Sequence, residues 1–302
     1  NLKPSFKPSF SKSSSVIPFA STNVAVIAPY DFDQDGDMDF VAGNMGKNTL
    51  LRANVKQPVD VLHGDLDGNG VYDVFPFVYF QNAEGTAISV PLFGKDDTHK
   101  QMNSTRARFV YYKDFGKVTQ ETFLNDTEKK KVNKLILTEN ASMYIENKGE
   151  GKFALHELPV MAQISAMNGM QVVDVNQDGY LDIIYVGNNF GNEVAMGRYD
   201  ASNGGVLLGG PKGFQYFANA GILVPGDAKA LVGIQIGNEL AYVALQNRGA
   251  MKVFKPLNPL QKANVPVGKD FSYVYKGRKQ KIAWTYGAWT IANYQCSVVG
   301  SF

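Results

Sequence analysis

Asp31-Phe32-Asp33-Gln34-Asp35-Gly36-Asp37-Met38-Asp39 returns twice more in the same frame, as Asp65-Leu66-Asp67-Gly68-Asn69-Gly70-Val71-Tyr72-Asp73 and Asp174-Val175-Asn176-Gln177-Asp178-Gly179-Tyr180-Leu181-Asp182. Each loop puts an oxygen-bearing side chain at positions 1, 3, 5 and 9 and glycine at position 6. Several carboxylates within nine residues repel one another unless a hard cation sits among them, and Ca²⁺ accepts six to eight oxygens in flexible geometry. The position-7 residues Asp37, Val71 and Tyr180 share no side-chain chemistry, which fits a ligand supplied there by the backbone carbonyl. A polar turn would account for one such cluster. Three in one register predict three metal loops.

An EF-hand is the first alternative to test, and it fails. It requires a bidentate Glu at position 12 and helices on both sides. Position 12 is Ala42, Pro76 or Tyr185. The flanks are short β-branched or aromatic runs, Val24–Ala28 and Phe40–Ala42 around the first loop and Ile183–Val186 after the third. The loops are therefore expected to join strand to strand.

The remainder of the chain agrees with a β protein. Among 302 residues there are 30 Gly, 15 Tyr and 19 Phe, with few sustained helical periods. A net charge of +2 supplies no field for nucleic acid or an anionic membrane. The basic runs Lys129–Lys131 and Lys276–Lys281 read as solvated faces. No apolar run approaches the length of a membrane span. The single cysteine, Cys296, allows no intrachain disulfide framework and, lacking a partner group, reads as an inert thiol. Carboxylate-built sites without switch geometry suit the millimolar calcium found outside cells. Asn1 opens directly into a Lys-Pro-Ser-Phe repeat with no signal peptide, so the chain reads as a mature or trimmed piece of something longer.

In chain order, residues 1–22, rich in Ser, Pro and Lys, read as an extended arm. Blocks of strands then run over 23–262. The first spans Val24 to Asn54 and the second starts at Val59, so the first two acidic loops are expected one blade-like repeat apart. Residues 94–133 break the strand pattern and predict a partly helical insertion, with Phe109, Tyr111, Tyr112, Phe115 and Phe123 available to anchor it. Strands resume at Lys134–Thr138. Ala141–Phe153 predicts a hairpin with glycines at its turn, and Leu207–Phe217 a similar unit. Ala230–Phe254 predicts three strands without a metal loop. Residues 263–302 form a C-terminal β extension, a pair of strands at Phe271–Tyr275 and Ile282–Tyr286 around a basic turn. Units repeating every forty to sixty residues or so are the sequence pattern of a β-propeller.

Together the three acidic loops, the Gly43-Asn44-Met45-Gly46 and Gly187-Asn188-Asn189-Phe190-Gly191 turns, and the Glu146–Phe153 hairpin resemble the FG-GAP/VCBS repeats of integrin-α-like propellers. The likeness covers about residues 24–260 and is greatest to secreted or surface-attached bacterial proteins of the Bacteroidetes type. Gly197–Ser202 and Gly226–Leu231 look like the C-terminal half of the larger members. The resemblance implies an all-β propeller whose loops each bind Ca²⁺ between adjacent strands of a blade. It also implies an extracellular or outer-membrane-associated location. The ligands would be Asp31, Asp33, Asp35, Asp37 and Asp39; Asp65, Asp67, Asn69, Val71 and Asp73; and Asp174, Asn176, Asp178, Tyr180 and Asp182. About five blades can be counted, whereas propellers usually close with six to eight. A missing N-terminal portion, a partner chain or a tight small ring would each resolve the shortfall.

For catalysis the sequence offers little. His63, His99 and His156 lie on unrelated elements without a metalloprotease or nucleophile-elbow pattern, and each is expected as a surface or strand histidine. No phosphate loop is present. The expected function is a non-catalytic binding or adhesion scaffold for cell-surface protein or polysaccharide, a subunit of a larger assembly. Its recognition surface would be a ring face or the insertion, where Tyr111 and Tyr112 are candidate contacts. The rival is a calcium-dependent polysaccharide lyase or hydrolase, which would need an acid/base pair outside the calcium loops.

Overall fold

The computed structural model describes residues 24–236, 239–256, 271–275 and 278–282. The N-terminal arm, Cys296 and most of the C-terminal extension lie outside the described residues.

The acidic loops join strands, as the apolar runs on either side predict. β1 (Val26–Tyr30) and β2 (Asp39–Gly43) flank the first, and β3 (Val59–Gly64) and β4 (Asp73–Gln81) the second. β5 (Ala87–Pro91) follows, then five short helices: α1 (Lys95–Gln101), α2 (Thr105–Arg108), α3 (Tyr112–Phe115), α4 (Gln120–Phe123) and α5 (Asp126–Lys129). Asn125 starts α5 by accepting from the Thr127 and Glu128 amides while Glu128 accepts from the Asn125 amide, a reciprocal cap that fixes where the helix begins. β6 (Asn133–Leu137), β7 (Met143–Asn147) and β8 (Phe153–Glu157) precede β9 (Met167–Val173) and β10 (Asp182–Gly187), which flank the third loop. β11 (Gly205–Leu208), β12 (Gln215–Phe217), β13 (Ala228–Ile236), β14 (Glu239–Gln246) and β15 (Lys252–Phe254) complete the larger sheets. β16 (Phe271–Tyr275) and β17 (Arg278–Ile282) pair as a hairpin. Its basic residues Arg278, Lys279 and Lys281 therefore belong to the second strand rather than to the turn, and the Ala283–Tyr286 segment expected there is outside the described residues.

Strand order departs from a simple succession of blocks. The first sheet runs β1-β2-β7-β8, and between β2 and β7 the chain builds a complete second sheet, β5-β4-β3-β6. The second acidic loop thus lies in an inserted sheet, not one repeat further along the first series. β6 pairs with β3, so the insertion embraces 59–137 rather than the helical stretch alone. The β2–β7 register, with Val41 opposite Tyr144, spans about a hundred residues, a separation that local patterning does not report. Beyond β8 the chain is consecutive: β12-β11-β10-β9 and then β13-β14-β15. Every sheet is antiparallel and, among the described residues, none closes on itself. Where five or so blades are expected, the described residues form three consecutive sheets, one inserted sheet and a hairpin, without closing a ring.

The consecutive sheets stack through both faces of β10. Side chains alternate across a strand, so Ile183 and Tyr185 enter one core with Val41, Tyr144 and Met167, while Ile184 and Val186 enter another with Leu231, Tyr242 and Ala244. Each sheet's first strand lies against the next, β1 on β9 and β9 on β13. Gly169 permits the second contact, because a Cβ there would stand 2.5 Å from the Leu231 amide nitrogen. The inserted sheet has its own core, in which Leu62, Leu66, Phe75 and Phe77 pack against Met102, Phe109, Val118 and Phe123 from the helical segment. Of the expected aromatic anchors, Phe109, Phe115 and Phe123 pack there, whereas Tyr111 and Tyr112 stand exposed. His99 also differs from expectation: it is buried in α1, bonded to the Thr105 hydroxyl and the Phe109 carbonyl. No helix among the described residues is long and apolar enough to cross a membrane.

Candidate metal centres

The three loops share one hydrogen-bond frame. The position-9 carboxylate accepts from the amide of position 2: Asp39 from Phe32 at 3.0 Å, Asp73 from Leu66 at 3.0 Å and Asp182 from Val175 at 2.7 Å. The position-1 carboxylate accepts from the glycine amide at position 6: Asp31 from Gly36, Asp65 from Gly70 and Asp174 from Gly179. Position 3 accepts from position 5, and position 5 from position 7. These are Asp33, Asp67 and Asn176 taking the amides of Asp35, Asn69 and Asp178, and Asp35, Asn69 and Asp178 taking those of Asp37, Val71 and Tyr180.

Such close reversals need left-handed backbone. Gly36, Gly70 and Gly179 supply it at φ values of 99°, 83° and 92°, as the sequence predicts. Position 4 is left-handed too, at 69° for Gln34, 79° for Gly68 and 59° for Gln177. The sequence reading missed this second requirement. Glycine at position 4 of the middle loop was its one visible trace.

In the first loop one carboxylate oxygen from each of Asp31, Asp33 and Asp39 falls within 4.8 Å of the others, and Asp65, Asp67 and Asp73 do the same in the second. These two clusters can hold a metal ion. The third loop carries Asn176 at position 3, whose amide nitrogen donates to Asp178. Asp31, Asp39, Asp73, Asp174 and Asp182 are buried; Asp33, Asp35, Asp37 and Asp178 reach solvent, and the position-7 residues Val71 and Tyr180 have no side-chain carboxylate to add.

Position 9 also ties two of the three loops to their sheets. Asp39 accepts from the Tyr144 hydroxyl and from the Asn147 amide, both on β7, and Asp182 accepts from Gly209 just beyond β11. Asp73 gains no equivalent donor, and its Oδ1 is left buried and unbonded. Asp31 Oδ1 and Asp65 Oδ1 are orphaned in the same way. A buried carboxylate oxygen without a partner is costly, and in each of these three groups the other oxygen already accepts from a backbone amide. A cation fits the vacant acceptors: the donor set is oxygen only, as a hard ion requires.

The electrostatics agree. Burial, then the charges of Asp33 and Asp35, push the Asp31 carboxyl up to about 6. Desolvation of the inner side of Asp33, with Asp39 and Asp35 beside it, pushes that group to about 6 against the bond it takes from the Asp35 amide. Burial carries Asp182 to about 7 and raises Asp39, Asp73 and Asp174. Without a positive charge these loops favour protons. A divalent ion would replace them.

Among the described residues no triad assembles around the histidines. His63 bonds the Tyr72 hydroxyl beside the second loop, and His156 pairs with Glu146 at 2.8 Å. The chain matches no protein-family model and no curated protein.

Proposed function

We propose that the chain is a calcium-stapled, propeller-type binding scaffold of the FG-GAP/VCBS kind, acting outside the cell at a bacterial surface. The observation that carries the reading is the hydrogen-bond frame repeated through three loops, with orphaned carboxylate oxygens buried in two of them. Calcium is the ion of choice because every available donor is oxygen and position 7 contributes a carbonyl. The propeller reading draws support from three consecutive antiparallel sheets, each with its first strand against the next. An ion in each loop removes carboxylate repulsion and holds a β-β corner in shape, stabilising the fold through preferential binding to the native state. Loops so held can present a recognition surface to protein or polysaccharide, and the function is binding rather than catalysis.

Thermal unfolding in EDTA and across a calcium titration, with ion stoichiometry measured in parallel, tests this reading. A large calcium-dependent rise in Tm with close to three bound ions is expected. Absence of both a shift and bound calcium would overturn it.

A further inference from the structure

A cavity of about 440 Å³ lies between the first and third acidic loops. Its floor is aromatic: Phe32, Tyr144 and Phe214 meet edge to face, with ring centroids 5.4 to 5.9 Å apart. One side of its rim is the β7–β8 hairpin, where the His156 ring stacks on Tyr144 and holds Glu146 through Nε2. Glu146 also takes the ammonium of Lys148, so its carboxylate is fixed in place by two donors. The opposite side is the Gly209-Gly210-Pro211-Lys212-Gly213 turn, in which Lys212 is the only long side chain. The walls come from two stacked sheets and are joined by the Gln34 amide, which donates to the Gly179 carbonyl at 2.8 Å.

We propose that this cavity binds a neutral saccharide. A pocket of this size with an aromatic base and a few fixed polar groups has the form of a small-ligand site. Carboxylate and imidazole offer acceptors and donors at neighbouring positions, matching vicinal hydroxyls. The ring cluster offers apolar surface to the C–H face of a sugar. Around the opening Glu146 and Glu157 are already paired with Lys148 and Lys47, and Asp33 is a proposed calcium ligand, so the rim charges are largely compensated and favour a neutral ligand. A wholly apolar ligand would strand those same groups without water. The inference rests on the scaffold reading in one respect: both loops that wall the cavity are proposed calcium sites.

The test is a glycan array of neutral and acidic oligosaccharides probed with the calcium-loaded full chain, followed by calorimetry on the best binder and on His156→Ala and Lys212→Ala. Both side chains are exposed on the rim, so neither variant should unfold the protein; Phe214→Ala examines the floor. Saturable binding of a neutral glycan, weakened about tenfold in each rim variant, is expected. A calcium-loaded chain that shows its Tm rise but retains no neutral glycan overturns the pocket and leaves the scaffold standing. Binding restricted to acidic glycans, or unchanged in both rim variants, also overturns it. A chain that binds no calcium fails the scaffold reading, and the array then still decides the pocket by whether a neutral glycan is held.

Discussion

The Gln34 side chain donates to the carbonyl of Gly179 at 2.8 Å, so two acidic loops 145 residues apart are joined directly. Gln34 makes this bond from a left-handed backbone position, φ 69°. Two opposing terms can be separated by mutation. Gln34→Ala loses the bond and keeps the backbone strain, and is expected to cost about 1 kcal/mol. Gln34→Gly loses the same bond but relieves strain of about 1 kcal/mol, and is expected close to wild type. Urea unfolding of both variants in saturating calcium measures the difference. A glycine variant no more stable than the alanine one would show that position 4 carries no strain.

Tyr144 reaches back 105 residues to donate its hydroxyl to Asp39 at 3.0 Å. The bond stabilises the ionised carboxylate, while burial and the Asp39 charge raise the phenol far above its ordinary range. Tyr144→Phe keeps the ring in the core and removes only the donor. In metal-free protein a loss of about 1.5–3 kcal/mol is expected while Asp39 is ionised, the range for bonds to charged groups, shrinking as pH falls and Asp39, raised by burial above the ordinary carboxylate range, takes up a proton. A loss that does not shrink at any pH where the protein stays folded would mean that the bond does not depend on the charge of Asp39.

Without metal, pH should act opposite to the usual carboxylate pattern. Asp31 and Asp33 are raised to about 6 and Asp182 to about 7, above an unfolded value near 4. Between those limits the folded chain binds more protons than the unfolded one, so stability present at low pH is lost as pH rises through about 6 to 7. The Tm of the EDTA-treated chain should therefore be higher near pH 5 than near pH 8. Calcium competes with those protons, so the interval between loaded and stripped Tm should widen over the same rise. Calorimetric scans at the two pH values check both slopes, and an EDTA-treated chain that gains stability with pH would refute the burial of these carboxylates.

Gly169 brings β9 against β13, and an added Cβ would meet the Ala230 carbonyl carbon at 2.8 Å as well as the Leu231 nitrogen. Both obstacles are backbone and cannot rotate away. Gly169→Ala should cost about 3 kcal/mol, the upper part of the overpacking range, read by urea unfolding. A loss under about 1 kcal/mol would show that the two sheets can slide apart freely.

How much of this was legible in the chain depends on distance along it. The Asp-x-Asp frame, glycine at position 6 and the strands beside each loop are local, and all were readable. The left-handed Gln34 and Gln177 were not, because glutamine carries no preference for that backbone and only the shared frame demands it. The Tyr144–Asp39 bond and the β2–β7 register were hidden for a different reason: both depend on partners about a hundred residues away, brought together only when the inserted sheet is complete. Burial of His99 ran against the expectation of a surface or strand histidine, since helices this short are oriented by the core beneath them rather than by their own periodicity.

Independence of that inserted sheet is the last consequence. Val59 on β3 lies opposite Leu137 on β6, so the two ends of the insertion emerge side by side, as in domains inserted into a host fold. Its buried core draws on residues from Leu62 to Leu124, and none of the consecutive sheets contributes to it. Among the described residues the links to the host are few and polar, such as the Asn44 side-chain amide on the Glu139 carbonyl at 3.3 Å. A fragment covering residues 55–139 should therefore fold alone, with a cooperative thermal transition that calcium raises through Asp65, Asp67 and Asp73. Circular dichroism in EDTA and in calcium, together with an Asp73→Asn variant that should lose most of the shift, tests this. A fragment without a cooperative transition in either condition would mean that the host sheets, rather than the helical segment and its own core, hold the insertion in shape.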